Sequence, residues 1–171
     1  MKIFESLLLF LPAYYANMCP GFARGFKLPG DKPISEKWLG TNKTWRGHIA
    51  SIIGGILMAF ILYLVCHIPG AEKYFGWYQD HWILLGLAMG AGAKLGDDVK
   101  SLIKRRLGKP PGDRWFPFDQ IDYILGAIAL SMPITGWLGA LDYAVVILPT
   151  ILLHGACVRR AFRKGQKSVP H

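Results

Sequence analysis

From Ile49 to Cys66 the chain reads IASIIGGILMAFILYLVC, without one charged residue. A helix needs roughly 17–20 apolar residues to cross the hydrocarbon of a bilayer, and this run supplies them. With 52% hydrophobic and only 18% charged residues in 171, the chain carries more apolar surface than a small soluble globule can bury. Four further runs follow the same logic. Ile3–Cys19 holds Pro12 as an expected kink, with Glu5 and Asn17 near its ends. Trp82–Leu95 is short and glycine-rich, with Lys94 inside it, so a full span must borrow residues on either side. Ile124–Leu141 and Tyr143–Val158 are separated by a minimal turn around Asp142. The first run lacks a basic leader and a small-residue cleavage site, which predicts a retained span. The expectation is one domain, residues 1–171, as an all-α integral membrane protein of five transmembrane helices.

Charge then orients the helices. Of 20 Lys and Arg residues, 17 fall between the first two runs, between the third and fourth, or after the fifth. Cytoplasmic loops carry such an excess, so the N-terminus is expected outside and the C-terminus in the cytoplasm of a plasma-membrane protein. Two cytoplasmic loops result, about 20–48 and 96–120. The net charge of +9 is therefore concentrated on one face. Attraction to anionic headgroups accounts for the tail RRAFRK. The loops are different, because their bases are interleaved with Asp, Asn, Thr, Gly and Pro.

The second loop is the denser, KLGDDVKSLIKRRLGKPPGDRWFPFDQIDY from Lys94 to Tyr123. No breaker occurs before Gly108, so the third helix is expected to run on through it. On a helix Asp97, Ser101, Lys104 and Arg105 share one face: a carboxylate, a hydroxyl and two cations on one wall. Ionisable residues at a span boundary mark polar interiors and functional paths. After the Pro110-Pro111-Gly112 turn, Asp119 and Asp122 stand three apart at the start of the next helix. There they either cap it or, opposite Asp97, form an oxygen-ligand site suited to Mg²⁺.

In the first loop, Gly40-Thr41-Asn42-Lys43-Thr44-Trp45-Arg46-Gly47 combines small residues, hydroxyls and cations, a composition able to hold phosphate, with Asn42 free to read a base or hydroxyl. It is not a Walker sequence. Cys19, Cys66 and Cys157 are too scattered for a disulfide framework or zinc site. The five histidines, His48, His67, His81, His154 and His171, show no ligand spacing, which predicts structural or interfacial roles.

GDDVKSLIKRR followed by PGDRWFPFDQID resembles the signature of the membrane CTP-dependent phosphatidate cytidylyltransferases, and GTNKTWRG upstream points to the archaeal branch of that family. The resemblance covers both loops and the five-span layout. It implies transfer of a cytidylyl group from CTP to an isoprenoid ether-lipid phosphate, 2,3-di-O-geranylgeranylglycerol 1-phosphate, with release of pyrophosphate. Asp97, Lys104, Asp119 and Asp122 are the implied catalytic residues. Asp97, Asp98, Asp119 and Asp122 are the implied Mg²⁺ ligands, with Asp98 direct or one shell out. Asn42, Lys43, Thr44, Arg46, Ser101, Arg105 and Arg106 are the implied contacts to CTP and lipid phosphate. Relatives outside the archaeal branch carry Pro-Gly-His-Gly-Gly before the closing acids, whereas Pro-Gly-Asp-Arg stands here, so no role passes to a histidine and the contacts of Arg114 stay open. A small transporter or anion channel with a basic vestibule is the alternative; it calls for charges deep in the spans, where only Lys94 lies. The pattern of a CDP-alcohol phosphotransferase is absent, and nucleic-acid binding has only net charge behind it.

Overall fold

The computed structural model describes residues 3–110, 113 and 115–163, with 153–163 as backbone alone. Pro111, Gly112, Arg114 and the tail bases Lys164 and Lys167 lie outside it, as do the side chains of His154, Cys157, Arg159, Arg160 and Arg163. Seven helices are present among the described residues: α1 (Ile3–Leu9), α2 (Leu11–Gly25), α3 (Trp45–Cys66), α4 (Glu72–Phe75), α5 (Trp77–Arg106), α6 (Phe118–Thr135) and α7 (Ala140–Arg163). Among the described residues the one bridge of β type is an isolated pairing of Pro33 with Thr44.

The first hydrophobic run is two helices. The chain breaks at Phe10, and Pro12 sits in the first turn of α2, where its missing N–H costs nothing. α2 then continues past Cys19 to Gly25, which shortens the first loop to residues 26–44. α3 matches the chargeless run and is the one described helix long and apolar enough to cross a membrane by itself; Ala140–Leu152 is a shorter apolar helix. α5 has 30 residues, about 45 Å at 1.5 Å per residue, so it outruns a hydrocarbon core of about 30 Å. It bends at His81 (φ −127°, ψ 16°), and the charged segment through Arg106 continues it as expected, with the next helix beginning at Phe118. The fourth helix ends at Thr135 and not at Leu141. Gly136 and Gly139, both at positive φ, make the turn there, and Asp142 lies in the first turn of α7.

The core gathers Phe10, Tyr78, Leu85, Met89, Ile124 and Val146, all fully buried. Large apolar side chains also point outward, among them Ile53, Leu57, Leu84, Leu130 and Leu148. Outward-facing leucine and isoleucine on several helices is the pattern lipid covers. α5 is central and packs most extensively on α6 and α3.

Candidate active site

The α5–α6 contact brings the acids together. A Cβ on Gly96 would fall 2.0 Å from the Asp122 carbonyl oxygen, and one on Gly126 would fall 2.1 Å from that of Gly92. Only hydrogen fits at these positions, so the two backbones touch, as small residues allow between membrane helices. Asp97 and Lys100 are thereby set beside Asp119 and Asp122. Lys100 Nζ lies 3.2 Å from Asp97 Oδ1, 3.1 Å from Asp119 Oδ1 and 2.6 Å from Asp122 Oδ2.

Three more ammonium groups surround this centre. Lys43, from the first loop, reaches Asp97 Oδ2 at 2.5 Å, and Lys94 reaches the same oxygen at 2.8 Å. Lys104, nearly buried, lies 3.3 Å from Asp119 Oδ1 and donates to the carbonyl of Asp113. Asp119 Oδ2 accepts from the backbone N–H of Trp115 at 2.5 Å, so this acid orders the loop that precedes α6. Asp122 Oδ1 accepts from Tyr123 N–H at 2.7 Å.

The charges follow from burial and its opponents. Burial would raise the Asp97 carboxyl, but Lys43, Lys94 and Lys100 hold it well below the usual carboxylate range. Burial likewise works against Asp119, which the Trp115 N–H and Lys100 nonetheless pull down. Asp122 goes the other way: burial pushes it up against the attraction of Lys100. Burial lowers Lys43 more than Asp97 restores it, whereas Asp122 and Asp97 overcome burial at Lys100 and raise it.

Beside this cluster lies a polar cavity of about 240 Å³ lined by Gly40, Asn42, Ser101 and six charged residues, in which the cations Lys43, Lys100, Lys104 and Arg105 outnumber the anions Asp113 and Asp119. An apolar groove of about 420 Å³, walled by Leu95, Val99, Ile103, Phe118, Ile121, Leu125 and Leu130, starts at Lys100 and Asp122. Cavity and groove share the Lys100 side chain.

Most of the anticipated side chains converge here; four do not. Thr44 caps α3, its Oγ1 accepting from Gly47 N–H at 3.3 Å. Arg46 turns to Asp31 and the Leu28 carbonyl and borders a different groove, between α2 and α3. Arg106 is exposed and outside the cavity. Asp98 points across to His48, 2.5 Å away, and not to the other acids. Two residues were missed. Lys100 stands three residues after Asp97, a spacing that places it on the same helix face, and the periodicity alone could have found it. Lys94 stands three residues before Asp97 and is turned inward by it, so the same spacing could have found it as well.

Among the described residues no three His, Cys, Asp or Glu side chains close on one point as a ready metal cage. The carboxylates of Asp97, Asp119 and Asp122 instead surround the Lys100 ammonium. All-oxygen donors of this kind suit a hard cation such as Mg²⁺, which needs only one or two carboxylates when phosphates and water complete its shell.

A cation-lined cavity that shares Lys100 with an apolar groove, in an all-helical membrane-type bundle, fits a class: an intramembrane transferase acting where a phosphate meets a lipid. The family model CarS-like, CDP-archaeol synthase, matches residues 1–171. CDP-archaeol synthase of Methanosphaerula palustris is 32% identical, covering 94% of this chain and 99% of the relative. That of Thermococcus gammatolerans is 32% identical, covering 99% and 96%. The fold matches, with TM-score 0.74 and 27% identity over 91% of this chain and 94% of the other, a solved structure described as an intramembrane enzyme for archaeal membrane lipids biosynthesis. The chain belongs to the CDP-archaeol synthase family.

Proposed function

We infer that this chain is a CTP-dependent cytidylyltransferase that forms CDP-archaeol and pyrophosphate from CTP and an archaeal ether-lipid phosphate, and that the residues around Lys100 perform the transfer. The observation that carries the residue assignment is the shared position of Lys100: polar cavity on one side, apolar groove on the other. The nucleotide triphosphate belongs in the cavity, between Lys43, Lys104 and Arg105, with Asn42 and Ser101 beside it. The isoprenoid chains of the digeranylgeranylglycerol phosphate belong in the groove between α5 and α6, which is open laterally to lipid.

An oxygen of the lipid phosphate attacks the α-phosphorus of CTP. A new P–O bond forms there, the bond from the α-phosphorus to the α–β bridging oxygen breaks, and pyrophosphate departs. The attacking oxygen is already ionised at neutral pH, so no strong base is required; alignment and charge neutralisation carry the rate. Lys100 lies between the two substrates and moves from its carboxylate partners to the phosphates as they enter. That exchange withdraws Lys100 from Asp97 Oδ1, Asp119 Oδ1 and Asp122 Oδ2. These three would hold Mg²⁺, which when bound neutralises the α-phosphate and the leaving pyrophosphate. Asp98, engaged with His48, is not among the ligands we assign. Lys43 and Lys104 neutralise the departing charge, and the buried Lys104 keeps Asp119 and the Asp113 carbonyl aligned beneath it. The distribution of Lys and Arg assigns this site to the cytoplasmic side.

The test is transfer of α-labelled CTP into the organic phase by purified, lipid-supplemented protein, with and without ether-lipid phosphate and Mg²⁺. Transfer dependent on both supports the assignment. Transfer without lipid phosphate, or none with ether or ester lipid phosphates by folded protein, overturns it.

A further inference from the structure

His48 and Asp98 lie outside the polar cavity and no step of the transfer uses them. Their contact is nevertheless unusually restrictive. His48 Nδ1 lies 3.1 Å from the Thr44 carbonyl, which only accepts, so Nδ1 donates there. Nε2 lies 2.5 Å from Asp98 Oδ2, an approach that two lone pairs do not tolerate, so a hydrogen bond joins them. Both side chains are mostly buried, and among the described residues Asp98 Oδ1 has no hydrogen-bond partner. The aspartate is therefore held by His48 alone.

This contact sits one residue along α5 from a second one. Lys43 Nζ binds Asp97 at 2.5 Å, and Lys43 precedes the Thr44 whose carbonyl anchors the His48 ring. The junction between the first loop and α3 is thus fastened to α5 at consecutive residues. The two fastenings differ in kind. Lys43 lines the cavity, so its pair with Asp97 must open when a triphosphate competes for the lysine; neither His48 nor Asp98 lines that cavity.

We propose that His48 and Asp98 are positioning residues: their part-buried hydrogen bond ties the 40–47 segment against α5 while Lys43 exchanges Asp97 for the phosphates of CTP. The proposal rests on the transferase reading for its ligand. Without the tie, Lys43 and Asn42 remain present but must be ordered by the nucleotide itself, which weakens CTP binding and leaves the bound complex competent.

The experiment compares His48→Phe, Asp98→Leu, the double variant and Asp98→Asn. Asparagine keeps the tie, because its amide donates to a neutral Nε2, while it removes the same charge as leucine. The double variant removes the buried carboxylate that His48→Phe strands, and so separates the tie from folding. Amide exchange in 43–47 and CTP binding by equilibrium dialysis are read beside KM and kcat. The expected result is faster exchange at 43–47, and CTP Kd and KM raised about tenfold with kcat within about threefold, in the first three variants and not in Asp98→Asn. Unchanged exchange, an Asp98→Asn as impaired as Asp98→Leu, or a fall in kcat at constant KM overturns the proposal. Absence of turnover with the Kd pattern intact overturns the transferase reading and leaves the tie standing; absence of CTP binding by the wild type overturns both.

Discussion

Asp122 and Asp142 are each 8% exposed, on consecutive long helices, yet their surroundings are opposite. Asp122 shares Lys100 with Asp97 and Asp119, beside a cavity with more cations than anions. Asp142, at the other end of the bundle, accepts from the Ser6 hydroxyl at 2.7 Å and fastens α7 to α1; nearby, Tyr14 OH donates to the Val146 carbonyl and Thr150 to Tyr14. Burial of a carboxylate therefore does not mark chemistry in this protein. What distinguishes the Asp122 end is surplus cation, an adjoining cavity and cationic partners of the kind a phosphate attracts. At the Asp142 end the partner is a neutral hydroxyl, and the contact joins one helix to another. The transporter alternative fails on the same ground, since the one cation within the third run, Lys94, is committed to Asp97.

The contrast breaks most sharply at Asp97. Asp97→Asn leaves three lysines without their shared anion and is expected to lower kcat by about 10³-fold in the labelled-CTP assay at saturating Mg²⁺; wild-type turnover would remove Asp97 from the site. Lys100→Met keeps the length of the side chain and deletes the charge between cavity and groove, with an expected loss of about 10²-fold in kcat. Gly126→Val drives a side chain into the Gly92 carbonyl and is expected to destabilise by about 1–3 kcal/mol, read as a lower unfolding temperature in detergent, with activity lost in proportion to α5–α6 separation. Asp142→Ala is expected to cost about 1–3 kcal/mol of stability through the stranded Ser6 while the activity of folded protein stays within about twofold. A large loss of kcat there would erase the distinction between the two ends.

The smallest expected effect is on pH. Asp97 and Asp119 have folded-state values below their unfolded ones, so their stabilisation is complete above the unfolded value near about 4 and disappears only as pH falls through the folded values. Thermal unfolding should show no loss from these two between about pH 8 and pH 5. Asp122, raised by burial, has the opposite sign: its contribution is present at low pH and lost as pH rises through its folded value, and Asp122→Asn should remove that loss.

Much of this was legible in the chain. The apolar run at Ile49–Cys66, the helix continuing from the third run through Arg106, the break before Pro12 and the facing of Asp97 with Ser101 and Lys104 all follow from periodicity, proline geometry and charge, which act within a few residues. Membership of the family rests on contiguous motifs and was readable for the same reason. The limits of α6 were not, because Gly136 ends the helix by adopting positive φ within an apolar sequence that hydropathy reads straight through. Nor was the sorting of the charges. Lys94 and Lys100 meet Asp97 at helical spacing, but Lys43 also lands on Asp97, Asp98 turns to His48, and Arg46 turns away to Asp31, through contacts between residues up to 54 apart in the chain. Local sequence decides which groups lie at the membrane boundary and on which helix face. Which cation meets which anion is set by how closely glycine lets α5 approach α6, and by where the first loop lands on α5, and these are properties of the packed bundle alone.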